Sequence, residues 1–133
     1  MKKLIGLIVL FGLLTLATRI LAAEEPSSIP EVPVKDMVTM LDLGAEKCVP
    51  CKLMASIIKE LREEYKGRAA IVFIDISKHP EHGRKFNANT IPTLIFYDKT
   101  GKEIYRHEGI LPKEAILDIF KKAGVEAPAN VKL

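Results

Sequence analysis

The strongest constraint on how this chain can fold is a pair of nearly continuous apolar runs, residues 36–43 and 69–76, separated by an amphipathic segment. Such runs suit strands covered on both faces. Between them Cys51, Met54, Ala55, Ile58, Leu61 and Tyr65 recur at helical spacing, with Lys52, Lys59, Glu60, Arg62 and Glu63 mostly opposite. Gly67 is expected to end that helix. A strand, a helix and a strand joined at these lengths predict parallel pairing through a right-handed crossover.

Cys48-Val49-Pro50-Cys51 stands at the first strand-to-helix junction and holds the chain's 2 cysteines. A thiol in the first turn of a helix faces backbone N–H groups that have no intrahelical partner, and their partial positive charge favours thiolate. Free cysteine has a pKa of about 8.5, and this position and spacing bring it to about 7 or below. Cys48 therefore reads as the exposed nucleophile. Cys51, one turn on, is close enough to displace a partner from a mixed disulfide on Cys48, a two-electron cycle that needs no cofactor. A structural bridge across two residues would close almost no loop and stabilise little. A zinc site would lack a second cysteine pair, and His79 and His82 stand outside the usual ligand spacing, so no metal is expected among the site residues.

The rest of the domain follows in short elements. Residues 79–86 form a short helix or turn, in which His79 and His82 read as a solvated surface pair and not as metal ligands. Asn89-Thr90-Ile91-Pro92-Thr93 leads into a strand over 93–97, the turn at 98–101 ends on glycine, and 103–107 alternates as the second strand of a hairpin. Ile116, Ile119, Phe120 and Ala123 mark one face of a terminal helix between Pro112 and Gly124. Residues 125–133 are expected to form a loose tail.

Before the domain lie two further segments. Residues 1–23 combine a basic start (Lys2, Lys3), an apolar run and small residues before Glu24, the outline of a secretory signal or of an N-terminal membrane anchor. Lysines before a first span stay inside, so either outcome puts the rest of the chain outside the cytoplasm. Residues 24–35, with Pro26, Pro30 and Pro33, read as a proline-rich linker. Of the 20 basic residues, Lys2, Lys3 and Arg19 lie in the leader, which leaves 17 basic against 17 acidic residues beyond it. A neutral body gives no polyanion-binding surface, and nucleic acid is not an expected partner.

From residue 36 to residue 124 the order of elements and motifs resembles the thioredoxin family. Cys48 and Cys51 fall on the family's CxxC, with Pro50 at its proline. Pro92 falls on the cis-proline beside the disulfide, Gly109 on a glycine that lets a substrate backbone approach, and Asp42 on the buried acid. The resemblance implies an α/β thioredoxin-like fold. Its mixed four-stranded sheet, ordered β-α-β-α-β-β-α and flanked by helices, would follow the N-terminal signal or anchor helix. It implies a peptide groove shaped by Val49, Pro50, Ile91, Pro92 and Gly109, where an extended client pairs with the Ile91 backbone as an added strand. Burial would raise the pKa of Asp42 toward neutrality and let it take a proton from Cys51, although a carboxylate satisfied by backbone donors is the competing reading. Three departures stand out: Lys47 replaces a tryptophan before the first cysteine, Phe73 replaces a lysine that faces the acid, and the family's first strand and helix are missing. Those losses leave Asp42 without a cation and the 69–76 strand at a sheet edge unless the linker covers it.

The resulting expectation is a thiol-disulfide oxidoreductase acting on protein disulfides outside the cytoplasm, in the periplasm or anchored facing it. The proline in the CxxC and the isoleucine before Pro92 resemble reducing members, which favours the reductase direction. A reductant in that place implies a membrane thiol-reductase as electron donor, with membrane contact only through the N-terminal segment. The alternative is a copper-binding or metallochaperone module on the same two cysteines, since soft thiolates suit Cu(I); a docking protein with an idle disulfide is a third reading.

Overall fold

The computed structural model describes residues 29–129; the expected signal or anchor segment, the start of the linker and residues 130–133 lie outside the described residues. The elements run β1 (Val38–Gly44), α1 (Val49–Glu64), β2 (Ala69–Asp75), α2 (Pro80–Lys85), β3 (Thr93–Tyr97), β4 (Glu103–Glu108) and α3 (Lys113–Lys122). They build one four-stranded sheet in the order β2-β1-β3-β4. β1 pairs with β2 in parallel, as the strand-helix-strand spacing requires, and with β3 antiparallel; β3 and β4 form the hairpin.

β1 is the spine because it has neighbours on both sides and every one of its residues is buried. Its alternation divides two cores. Val38 and Met40 face the layer of α1 and α3, among Met54, Ile58, Leu61, Tyr65, Ile116, Leu117 and Phe120. Leu41 and Leu43 face the opposite layer with Val72, Ile74, Phe86, Ile95 and Tyr97. Each large side chain so covered contributes about 1.5–3 kcal/mol of hydrophobic stabilisation. The Phe120 ring fastens α3 to the rest, with its centroid 4.8 Å from Tyr65 and 5.9 Å from Phe96.

Three boundaries differ from the sequence reading, each for a local reason. The proline-rich stretch is not free of the domain: Val32 is buried in the second core with Ile29 and Val34 beside it, and the Val34 N–H donates to the buried Thr39 hydroxyl at 3.0 Å. Helix α1 stops at Glu64 and is capped by the Tyr65 N–H on Leu61 O at 2.9 Å, so Gly67, at φ +73°, turns the loop after the cap and does not end the helix. At the other end Gly124 (φ +81°) donates to Lys121 O at 3.0 Å and Val125 to Phe120 O at 2.9 Å, the paired bonds of a Schellman cap. That cap folds Val125 into the first core, so the tail is pinned at its first residue.

Candidate active site

Strand β1 ends at Gly44, and the short loop after it delivers Cys48 to the N-cap of α1, with extended backbone (φ −81°, ψ 118°). Its sulfur takes the place of the usual cap oxygen and accepts the Cys51 N–H at 3.2 Å. Pro50 stands in the first turn, where a missing N–H costs nothing, and no acidic side chain lies there to oppose a thiolate. The two cysteines are joined in a disulfide with Cα atoms 5.2 Å apart. Cys48 is half-buried, whereas Cys51 is only 5% exposed. Only the first sulfur is open to an incoming thiol.

The loop before β3 closes over that sulfur. The Ile91–Pro92 peptide bond is cis, and the Ile91 carbonyl oxygen lies 4.0 Å from Cys48 Sγ. From the far end of the hairpin Gly109, at φ +95°, donates its N–H to Pro92 O at 2.7 Å, a conformation that favours a residue without a side chain. Cys48, Ile91, Pro92 and Gly109 therefore meet at one place although up to 61 residue positions separate them. The Thr90 hydroxyl, bonded to Glu108 at 2.9 Å, ties this loop to β4. Val49 borders the disulfide at 71% exposure and Pro50 is half-buried beside it. The exposed apolar surface continues to Leu53, one helical turn from Val49, and to Ile110 beside Gly109. The sequence reading missed both, because an exposed leucine off the apolar face of a helix carries no signal of its own.

Asp42 sits in the middle of β1, between Phe73 on β2 and Leu94 on β3. It is 1% exposed and neither carboxyl oxygen has a hydrogen-bond partner. Burial raises its pKa from 3.8 to about 7 against the opposing pull of the Arg62 guanidinium. The carboxyl is thus not satisfied by backbone donors at the strand end. Nor is it without a cation: the residue at the lysine position is apolar, but α1 supplies Arg62. The ring of Phe73 reaches toward the disulfide, since a Cβ placed on Gly44 would lie 3.0 Å from Phe73 Cε2 and 3.3 Å from Cys51 Sγ. Gly44 is the residue type that leaves room for both.

A further tie was not legible in advance. Asp75, at the end of β2, accepts the Ser77 hydroxyl, the Ser77 N–H at 2.8 Å and the Glu46 N–H at 3.2 Å, and these bonds, the hydroxyl's first, hold its carboxyl below the usual range. Glu46 lies two residues before Cys48, so Asp75 anchors the active-site loop to the turn after β2. The Asp-x-Ser pattern of an Asx turn was the available signal. His79 and His82 both lie beside Glu81, but only His79 is solvated as expected; His82 is half-buried, with its ring stacked on the buried Phe86. Among the described residues no three His, Cys, Asp or Glu side chains gather as a metal would need.

Comparison with known proteins agrees with this geometry. The family model described as Thioredoxin matches residues 28–122. The chain is 34% identical over 89 residues to thioredoxins of Staphylococcus saprophyticus and Staphylococcus aureus, covering 67% of this chain and 85% of theirs. Among solved structures, chloroplastic thioredoxin z superposes with a TM-score of 0.62 at 31% identity, over 67% of this chain and 80% of that one. A malarial protein, with a TM-score of 0.61 at 22% identity over 67% of this chain and 99% of its own, shares the fold. The matched stretch is well over half of the chain and takes in every element around the Cys48–Cys51 pair, and on that ground the chain belongs to the thioredoxin family of protein-disulfide oxidoreductases.

Proposed function

We propose that this oxidoreductase works outside the cytoplasm in the reducing direction, using its dithiol and no further cofactor. The observation that carries the reading is the placement of the half-buried Cys48 sulfur 4.0 Å from Ile91 O, with Cys51 covered behind it. In the reduced protein the Cys48 thiolate attacks one sulfur of a client disulfide; a Cys48–client bond forms and the client's other sulfur leaves as thiolate. Cys51 then attacks Cys48 Sγ while its proton passes to Asp42. The Cys48–Cys51 bond closes, the client bond breaks, and the client has gained two electrons. A buried carboxyl near neutrality suits that proton step, because a group that titrates near pH 7 can both take up and give back a proton there. Ile91, Pro92 and Gly109 shape the groove, and the bare Ile91 backbone beside the sulfur is where an extended client pairs.

Pro50 between the cysteines and Ile91 before Pro92 resemble reducing members of the family and support the direction. The basic, apolar and small-residue pattern of residues 1–23 supports the location. A membrane thiol-reductase would then return electrons to the disulfide. Among the described residues no helix is long and apolar enough to cross a membrane, and the reading assigns membrane contact to the N-terminal segment alone. The reduction potential tests the direction: a value near the roughly −270 mV of thioredoxins is expected, and one near −120 mV, that of a strong oxidant, would reverse it. Cys51→Ala tests the sulfur roles, with stable mixed disulfides expected through Cys48. If that variant traps no client while Cys48→Ala does, the two roles are exchanged. A copper carrier on the same cysteines would show little insulin-disulfide reduction, and no observation in the structure favours it.

A further inference from the structure

A groove of about 510 Å3 opens behind the disulfide, between α1 and the free edge of β2, and Cys51, Phe73 and Arg62 all line it. Arg62 lies about three turns along α1 from Cys51, and side chains on a helix lean toward its N-terminus, here the cysteine end. Its Nε donates to Ile71 O at 3.1 Å, which fixes the guanidinium on the β2 edge. Ile71 pairs with Met40 and Phe73 with Asp42, so the anchoring carbonyl sits one strand across and two residues along from the acid. At strand spacings that is roughly 8 Å between backbone positions.

The other groups near Asp42 are apolar, paired elsewhere, or border the groove without bearing on its carboxyl. Its strand neighbours, Phe73 on β2 and Leu94 on β3, are apolar. Lys52, Lys59 and Glu63 border the same groove from α1 and Glu46 enters from the loop after β1, where it pairs with Lys78. On α3, Lys113 is held by Glu60 and Glu64. Arg62 alone is felt at the Asp42 carboxyl, and it opposes the effect of burial.

We propose that Arg62 is a positioning residue for the proton step: its guanidinium, tethered on the β2 edge, acts on Asp42 from one strand away and sets how readily that carboxylate receives the Cys51 proton. The inference rests on the reading of Asp42 as proton acceptor. It gives Arg62 the part left open by the apolar residue at position 73. Because Arg62 is exposed and the groove is open to water, the field should be screened by salt, as a packing effect would not be.

The test is a carbon-13 NMR titration of the Asp42 carboxyl in the full chain, wild type against Arg62→Gln and Arg62→Lys, alongside the pH profile of insulin-disulfide reduction. Arg62→Gln is expected to move the Asp42 midpoint upward by about half a pH unit, with the turnover profile following, and Arg62→Lys to restore most of it. In about 1 M salt the wild-type midpoint should rise to meet that of Arg62→Gln. Superimposable carboxyl titrations of wild type and Arg62→Gln overturn the inference, even where Asp42→Asn flattens the turnover profile and the proton-acceptor reading stands. If instead Asp42→Asn leaves that profile unchanged, the acceptor reading fails, and the inference fails with it whatever the titrations show.

Discussion

Asp42→Asn is expected to stabilise the folded protein at neutral pH and above, and to give no such gain in acid. In the folded chain the carboxyl holds its proton to about pH 7, whereas the unfolded chain releases it near 3.8. Between those values folding takes up a proton, so stability falls as pH rises through the window and levels off above it. The two pKa values lie about three units apart, and at 1.36 kcal/mol per unit the wild type gives up about 4 kcal/mol by the time the carboxyl is fully ionised. That is a large share of the roughly 5–15 kcal/mol that holds a domain of this size folded. Asparagine keeps the shape and cannot ionise. It buries an amide with no partner, but that cost is the same at every pH and drops out of the comparison. The assay is urea unfolding of the oxidised protein from pH 4 to pH 9, with variant and wild type in the same buffers. The stability difference should grow by about 4 kcal/mol between the acid end and pH 8 or above. A difference that stays flat across the window would refute the claim that Asp42 is both buried and without a partner in the fold.

Gly44→Ala should lower stability by about 1–2 kcal/mol, because the new Cβ would lie 3.0 Å from the Phe73 ring and 3.3 Å from Cys51 Sγ. Phe73→Ala should relieve most of that loss in the double variant, and strict additivity of the two changes would show that ring and glycine do not compete for the same space. Phe120→Ala removes a fully buried ring that packs against both Tyr65 and Phe96, and a loss of about 3–5 kcal/mol is expected in urea unfolding. A loss under about 1 kcal/mol would mean that α3 is not held through this ring.

What was legible in the sequence, and what was not, divides by the range of the interaction. β1, α1 and β2 each declare themselves within a few residues: the apolar runs mark strands, although only β1 is covered on both faces and β2 leaves Phe73 exposed, the helix shows its period, and the lengths between them leave parallel pairing as the outcome. Cys48 and Cys51 were legible for the same reason, since the chemistry follows from their spacing and from the helix that starts there. Gly109 and Pro92 carry no such local signature. They were found through the resemblance, and the bond between them crosses 17 positions of chain. Val32 and Val125 stand in stretches whose neighbours read as linker and tail, and only the partners supplied by the folded sheet and by α3 draw them into the cores.

Arg62 is the sharpest instance. Along the helix it is one more charged residue opposite the apolar face, the same in kind as Lys59 or Glu63, and nothing in its neighbourhood sets it apart. It becomes different only because β2 arrives alongside with a free Ile71 carbonyl, and because β1 has put a carboxyl without a partner one strand away. The CxxC motif thus names the reaction that the chain performs, while on the proposed mechanism the ease of its proton step depends on three residues, Asp42, Arg62 and Phe73, that come together only in the folded sheet. A relative that keeps the four residues of the motif but changes what stands at those three positions would perform the same exchange at a different pH, and that difference would not be visible in the motif.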